Sequence, residues 1–345
     1  MIKLFYDGTK LLSLKDINNN TPEIYICTSN RSAGKTTYFN RLVVNRFIKK
    51  HQKFMLLYRY KYELENCADK FFKDIQGLFF NDYDMTSKKC CKGLFYELYL
   101  NDCLCGYTVA LNSSEQLKKY SHFFNDVSSI LFDEFQSETN KYCSNEINKF
   151  ISLHTSIARG NGKQQRYLPV YLIGNPVTLL NPYYTALNIS SKISTNTKYL
   201  RGDGYVLEQG YNEQAKNEQL KSGFNKAFAK NNYIRYSLES QYLNDINTFI
   251  DKPTGKSRYL ATLKFNDEYY ALKEYLDSGI IYCDEGADLQ FRTKLCITTT
   301  DHDINYIMLK QNNSFIQILK YYFEHGCLRF KNIKCKDVLL KFLSY

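Results

Sequence analysis

Ile24-Tyr25-Ile26-Cys27-Thr28-Ser29-Asn30-Arg31-Ser32-Ala33-Gly34-Lys35-Thr36-Thr37 decides how the rest of the chain is read. Its opening residues are β-branched or aromatic and follow a polar Asn18-Asn19-Asn20-Thr21-Pro22 loop, which predicts a short buried strand. A tight loop of small residues comes next. Phe39, Leu42, Val43 and Phe47 then recur at helical spacing on one face. Strand, loop and helix with Gly34-Lys35-Thr36 at the junction is the layout of a Walker A phosphate loop. In that reading the backbone N–H groups of Ser29 to Thr37, backed by the helix N-terminus, cradle an anion. Lys35 reaches the β- and γ-phosphates of ATP, and the Thr36 hydroxyl ligates Mg2+. Ser29 stands where the motif has its first glycine.

A second stretch supports the first. Val127-Ser128-Ser129-Ile130-Leu131-Phe132-Asp133-Glu134-Phe135 is an apolar strand ending in two adjacent carboxylates, a Walker B pattern. Asp133 holds the magnesium ion in this reading, and Glu134 orients and deprotonates the attacking water. Ile147, Phe150, Ile151, His154 and Ile157 mark a helical face, with His154 expected in the core or at its boundary. That helix runs into the basic loop Ala158-Arg159-Gly160-Asn161-Gly162-Lys163, where Arg159 is a candidate arginine finger. Leu168 to Gly174 reads as a further buried strand, and Asn175 at its tip is placed to touch the γ-phosphate or the attacking water.

Bulk properties bound the class. The 345 residues suffice for two cored domains, and no apolar run reaches the length of a membrane span, so no membrane association is expected. The N-terminus lacks the apolar core of a signal peptide, and 11 scattered cysteines, an odd number, fit reduced thiols in a cytosol. Cys90-Cys91 and Cys103-x-Cys105 match no usual zinc spacing and flank an expected hairpin from Leu94 to Leu111, so they read as small apolar residues. With 46 basic against 35 acidic residues, the excess of +11 favours a polyanionic partner.

Leu4-Phe5-Tyr6 and Leu11-Leu12 are candidates for packing near the nucleotide base. Lys53 to Tyr58 predicts a second strand ending in the basic-aromatic segment Arg59-Tyr60-Lys61-Tyr62. Ligands bind at that edge in open α/β sheets, so Arg59 and Lys61 are candidate DNA contacts; Lys118 and Lys119, on a polar helix, are weaker ones. Residues 201–250 are polar, with a helix-like run from Glu208 to Phe228, and read as a linker or lid. Beyond Ser257, runs at Arg258 to Phe265, Tyr269 to Lys273, Gly279 to Asp284 and Lys294 to Thr300 suggest a small β-meander. A helix from Phe315 to Glu324 stops at Gly326, and Asp301-His302-Asp303 reads as a helix start with capping carboxylates.

Taken together, these residues resemble the small podovirus DNA packaging ATPases, or DNA encapsidation proteins, relatives of terminase large subunits. The likeness rests on Leu4-Phe5-Tyr6, Arg31 to Thr36, Arg59-Tyr60-Lys61-x-Glu63-Leu64 and the Asp133-Glu134-Phe135 block. It continues through Asn175, Asn181-Pro182-Tyr183, Leu295 to Asp301 and Gly326-x-Leu328-Arg329-Phe330. The resemblance implies an α/β fold: a P-loop, RecA-like (ASCE) ATPase domain over residues 1–200 and a linker over 201–250. It also implies a C-terminal α+β domain over 251–345, resembling a degenerate RNase H-like nuclease.

The implied function is ATP-driven translocation of double-stranded DNA into a phage procapsid by a homo-oligomeric ring, a pentamer in the family. The implied partners are the portal and procapsid and a structural RNA; the implied place is the host cytoplasm, docked on the procapsid and absent from the mature virion. Arg31, inside the phosphate loop, is characteristic of packaging motors, and Arg159 aligns with a trans-acting arginine. A helicase or recombination ATPase, or a terminase that also cuts, are the rival readings. Cutting requires several carboxylates on adjacent strand ends, and the C-terminal sequence does not offer that set.

Overall fold

The computed structural model describes residues 6–139, 141–159, 164–189, 192–193, 197–211, 213–228, 231, 249–309 and 313–344. Leu4 and Phe5, the Gly160–Lys163 part of the basic loop and most of 229–248 lie outside them. The chain divides into two units, residues 1–186 with 193–244, and residues 187–192 with 245–345.

The first unit is built on a nine-stranded sheet. Its strands are β1 (Ile24–Thr28), β2 (Lys53–Tyr58), β3 (Met85–Cys90), β4 (Phe95–Leu100), β5 (Cys103–Ala110), β6 (Val127–Asp133), β7 (Val170–Gly174), β8 (Tyr199–Arg201) and β9 (Tyr205–Gln209). They lie in the order β3-β4-β5-β2-β6-β7-β1-β9-β8. The six from β5 to β9 run parallel, and β3, β4 and β8 close the edges antiparallel. Parallel strands need both faces covered, which accounts for the nearly continuous burial of β1, β2 and β7. Because β7 lies between β1 and β6, its tip stands between the phosphate loop and the acidic pair.

Helix α1 (Thr9–Ser13) precedes the sheet and buries Leu11. Helix α2 (Lys35–Lys50) buries Phe39, Val43, Val44 and Phe47. Phe39 meets Tyr171 of β7 at a centroid distance of 5.5 Å, and Tyr171 meets Tyr25 of β1 at the same distance. Helix α3 (Leu64–Phe79) joins the same core through Phe71, Phe72 and Ile75. Neither α3 nor β3 was legible beforehand, since β3 alternates half-buried and exposed residues at an edge. The short α4 (Ser114–Lys118) leads toward β6.

Helix α5 (Glu146–Ala158) packs Phe150 against Phe132, on the neighbouring side of β6 from Leu131. Its buried face is Phe150, Leu153 and Ile157; Ile151 is exposed, which corrects the expected stripe. The Nε2 of His154, half-buried, lies 2.9 Å from the Leu168 carbonyl. Short α6 (Pro182–Ala186) follows β7.

The stretch expected to be linker contributes the last residue of β8 and all of β9, where Tyr205, Val206 and Leu207 are buried and β9 pairs in parallel with β1. The helix expected from Glu208 begins only at α7 (Glu213–Lys221) and continues as α8 (Gly223–Ala227). Glu208 remains in the sheet, where its buried carboxylate accepts hydrogen bonds from the Tyr6 and Tyr199 hydroxyls.

The second unit has a six-stranded sheet of β10 (Ser257–Phe265), β11 (Glu268–Tyr275), β12 (Ile280–Asp284), β13 (Lys294–Cys296), β14 (Ile307–Met308) and β15 (Leu328–Phe330). Its order is β14-β13-β10-β11-β12-β15, mixed rather than a simple meander, because β13 joins β10, and β15 joins β12, in parallel. Helices α9 (Ser314–Glu324) and α10 (Ile333–Ser344) bury Ile316, Leu319, Leu339 and Phe342 in one cluster with Leu263 and Leu272.

No helix starts at Asp301. Its buried carboxylate accepts the N–H groups of Asn266 (2.9 Å) and Asp267 (3.0 Å) and the Thr298 hydroxyl, fastening the β10–β11 turn, whose two residues both have positive φ.

Candidate nucleotide site

The phosphate loop lies between β1 and α2 at the carboxyl edge of the sheet. Ser32 (φ 59°) and Gly34 (φ 91°) adopt left-handed conformations, which turn successive N–H groups toward one hollow. Helix α2 starts at Lys35 with no side-chain cap and no acidic residue in its first turn, so its positive end is left for an anion. Ser29 is buried and is absent from the positive-φ positions, so the missing glycine costs no backbone strain there.

Lys35 is buried, and its Nζ donates to the carbonyls of Ser29 (3.1 Å) and Asn30 (3.4 Å) and to Asn175 Oδ1 (3.2 Å). Burial pulls its ammonium below the ordinary lysine value, against the upward pull of Cys27 and Asp133. Asp133 reaches the same place from β6, where its carboxyl stands beside the Thr36 side chain. The structure therefore brings Lys35, Thr36, Asp133 and Asn175 together from three adjacent strand tips. A hydroxyl and one carboxylate side by side suit a magnesium ion, which keeps most of its waters and takes few protein ligands. Among the described residues no group of three or more His, Cys, Asp and Glu side chains gathers as a denser metal site.

Glu134 is exposed, and its backbone is left-handed (φ 56°), an uncommon state for a residue with a long side chain. The conformation is held by Arg59. Its Nη1 donates to the Glu134 carbonyl (3.2 Å) and its Nη2 to the Phe135 carbonyl (2.7 Å). Its Nε pairs with Glu146 at the start of α5 (3.0 Å). Glu146 also accepts from the Tyr183 hydroxyl (2.8 Å) and the Cys143 N–H (2.7 Å).

This corrects the expectation for Arg59. Its guanidinium is buried, and each of its three nitrogens donates to a carboxylate or carbonyl inside the fold, so it offers no face to a DNA phosphate. Lys61, two residues on, is exposed in a 3-10 turn (Lys61–Glu63) at the same sheet edge.

The remaining candidates lie elsewhere. Arg31 pairs with Glu138, and its carbonyl accepts from Gln219 of α7 (3.1 Å). Arg159 is exposed just past the C-terminus of α5, about 18 Å along the helix from Glu146. Arg166 ties that end of α5 to the first residue of β6, at the opposite edge of the sheet from Lys35. The structure thus does not bring Arg159 to this chain's own phosphate loop. It lines a groove of about 430 Å³ with Lys118, Asn148 and Ser152, and Lys119 is exposed beyond Lys118. Sequence reasoning missed Glu146, Tyr183, Glu138 and Glu208, whose partners lie up to 202 residues away and leave no local pattern.

In the second unit several carboxylates at the sheet ends are taken up by lysines. Asp284 pairs with Lys273 (2.8 Å) and Lys331 (3.3 Å), and Lys264 stands between Asp267 (3.5 Å) and Asp303 (3.6 Å).

Burial and the neighbouring Glu134 carboxylate push Asp133 up to about 6. A carboxyl raised in the fold stabilises the folded state while protonated. That contribution is complete below about 4 and is lost as pH rises through about 6. In the nucleotide-free chain, Asp133→Asn is expected to flatten the fall of melting temperature across that window, measured by thermal denaturation at a series of pH values.

Three comparisons with known proteins bear on the family of this chain. The model of the podovirus DNA encapsidation protein (Gp16) family matches residues 1–344. The DNA packaging proteins of Bacillus phages PZA and phi29 are each 26% identical over 339 residues, covering 97% of this chain and 96% of theirs. Among solved structures, a chain of the bacteriophage phi29 viral genome packaging motor assembly superposes with a TM-score of 0.75 at 24% identity, covering 99% of both chains. A chain of the Phi-28 DNA packaging motor superposes with a TM-score of 0.61 at 15% identity, covering 98% of this chain and 96% of that one. With the match running over residues 1–344, this chain belongs to the podovirus DNA encapsidation protein family.

Proposed function

We propose that this chain is the ATPase of a phage genome-packaging motor, hydrolysing ATP to drive double-stranded DNA into a procapsid. The observation that carries the reading is the meeting of Lys35, Thr36, Asp133 and Asn175 at one sheet edge, beside an exposed Glu134. The family match over residues 1–344 supplies the biological setting.

The chemistry is transfer of the terminal phosphoryl group to water. The phosphate-loop N–H groups and Lys35 hold the phosphates and balance the charge that moves onto the leaving oxygen. Glu134 orients the water and accepts its proton. Asn175, already bonded to Lys35, faces the terminal phosphate. Thr36 and Asp133 would hold a magnesium ion, which supplies further neutralisation of phosphate charge.

Arg159, at the far edge of its own sheet, serves the site of a neighbouring subunit in a homo-oligomeric ring. Double-stranded DNA, the procapsid with its portal, and a structural RNA are the partners in this reading. Lys61, Lys118 and Lys119 are surface cations available to phosphates. The second unit acts in binding rather than cutting, a reading supported by its lysine-paired carboxylates.

The test is the ATPase rate with and without duplex DNA. Wild type should turn over ATP faster with DNA, and Lys35→Ala and Arg159→Ala should each lose most of that rate. Mixing the two variants should restore turnover, because an intact phosphate loop then faces an intact arginine. A wild-type chain that hydrolyses no ATP in the presence of DNA refutes the proposal. Mixed variants that stay inactive remove the shared-site part of it.

A further inference from the structure

Asn175 is followed by Pro176, which donates no hydrogen bond, and then by two backbone N–H groups that must be satisfied inside the protein. Both are taken by one side chain. Gln136 Oε1 accepts from Val177 N (3.0 Å) and Thr178 N (3.0 Å). Gln136 is itself 3% exposed and lies two residues past Glu134. On the other side of Asn175, Phe135 N donates to the Ile173 carbonyl (3.3 Å), and the Phe135 ring fills the space above Gly174, where an added Cβ would stand 3.3 Å from it. The segment carrying Asn175 is therefore held at both ends by the two residues that directly follow Glu134.

The far side of this segment is equally fixed. The Thr178 carbonyl accepts from Asn181 Nδ2 (2.9 Å), and Asn181 Oδ1 accepts from Tyr184 N (3.0 Å). A leucine or methionine at position 136 would fill the same space and leave two buried N–H groups without an acceptor. The Gln136 amide nitrogen lies beside the buried hydroxyls of Thr28 and Tyr184. The acceptor half of the amide is the part bonded to the Asn175 segment.

We propose that Gln136 is a positioning residue for the hydrolysis step: it holds the loop of Asn175 in register with the loop of Glu134. The proposal rests on the ATPase reading above. Lys35 and Asn175 are bonded at 3.2 Å, so a shift of the Asn175 loop displaces the amide from both the lysine and the terminal phosphate. Nucleotide affinity depends instead on the phosphate loop, whose backbone Gln136 does not hold. Loss of Gln136 should therefore appear in turnover and not in binding.

The experiment is a double-mutant cycle on the full chain, with steady-state ATPase measured in the presence of duplex DNA. Gln136→Met keeps the length and removes the acceptor. Its kcat should fall by at least about tenfold, with KM for ATP within about twofold of wild type. Gln136→Glu, whose carboxylate can accept from both N–H groups, should recover turnover to within about threefold of wild type. In an Asn175→Ala background, Gln136→Met should add no further loss, because the two residues act as one unit.

An unchanged kcat in Gln136→Met overturns the inference, as does a further loss of about tenfold on top of Asn175→Ala. Should Gln136→Met fail to fold, Gln136→Asn, which keeps the amide but shortens its reach, replaces it with the same expected pattern. The two failures are distinct: a wild type without turnover sinks the ATPase reading and this inference with it. A wild type with turnover and an unaffected variant sinks this inference alone.

Discussion

Glu134→Gln is expected to lower ATP turnover by about 10²–10⁴-fold, the usual contribution of a positioned general base. Affinity for ATP should stay within a few-fold of wild type. The substitution keeps the size and the backbone, so the N–H of residue 134 still reaches Asp133 Oδ1 (2.9 Å) and its carbonyl still reaches Arg59. Only the basic oxygen is lost. The measurement is steady-state ATPase together with equilibrium binding of a fluorescent ATP analogue. Turnover near wild type would show that another group takes the proton. Because Glu134 is held in a left-handed conformation, its exposed carboxylate is aimed by the backbone rather than by contacts of its own.

Arg59→Ala carries the largest expected effect on stability. Glu146 would be left buried with its charge uncompensated, which costs on the order of 3–5 kcal/mol. The carbonyls of Glu134 and Phe135 would also lose their donor. Chemical denaturation should therefore show an early transition for the first unit, and turnover should collapse.

Arg59→Met combined with Glu146→Met separates the two roles. Replacing both partners of a buried pair by apolar residues removes the uncompensated charge. The Tyr183 hydroxyl and the Cys143 N–H still lack their acceptor, so only part of the stability should return. Turnover should not, because nothing then holds the Glu134 loop. A double variant that recovers both stability and turnover would reduce Arg59 to a packing residue.

Much of the site could be read from the chain alone. Strands β1, β2 and β6 and the start of α2 fall where the apolar runs and the loop of small residues place them, because each is a local pattern of hydrophobicity and turn chemistry. The gathering of Lys35, Thr36 and Asp133 follows from parallel strands presenting their carboxyl ends on one edge.

Other parts were not legible. Arg59 resembled a surface cation because it stands in the basic-aromatic run Arg59-Tyr60-Lys61-Tyr62 at a strand end, and its buried partner Glu146 is 87 residues away. Residues 201–209 resembled the start of a linker because Gly202-Asp203-Gly204 and Glu208-Gln209 are polar. Their burial depends on β9 finding β1, and on two tyrosines satisfying Glu208. The Asp301 carboxylate resembled a helix cap, whereas it satisfies the N–H groups of a turn 34 residues earlier.

Sequence alone therefore determined the chemistry available to this chain: a phosphate loop, a doubly acidic strand end and an amide-tipped strand, each encoded within about ten neighbouring residues. Tertiary structure decided which charged groups are spent inside the fold and which remain free to act. A buried charge or N–H group must find its partner wherever the folded chain brings one, at any separation in sequence. Arg59, Glu146 and Gln136 are spent on holding Glu134 and Asn175 in place, and no pattern of neighbours could have shown it.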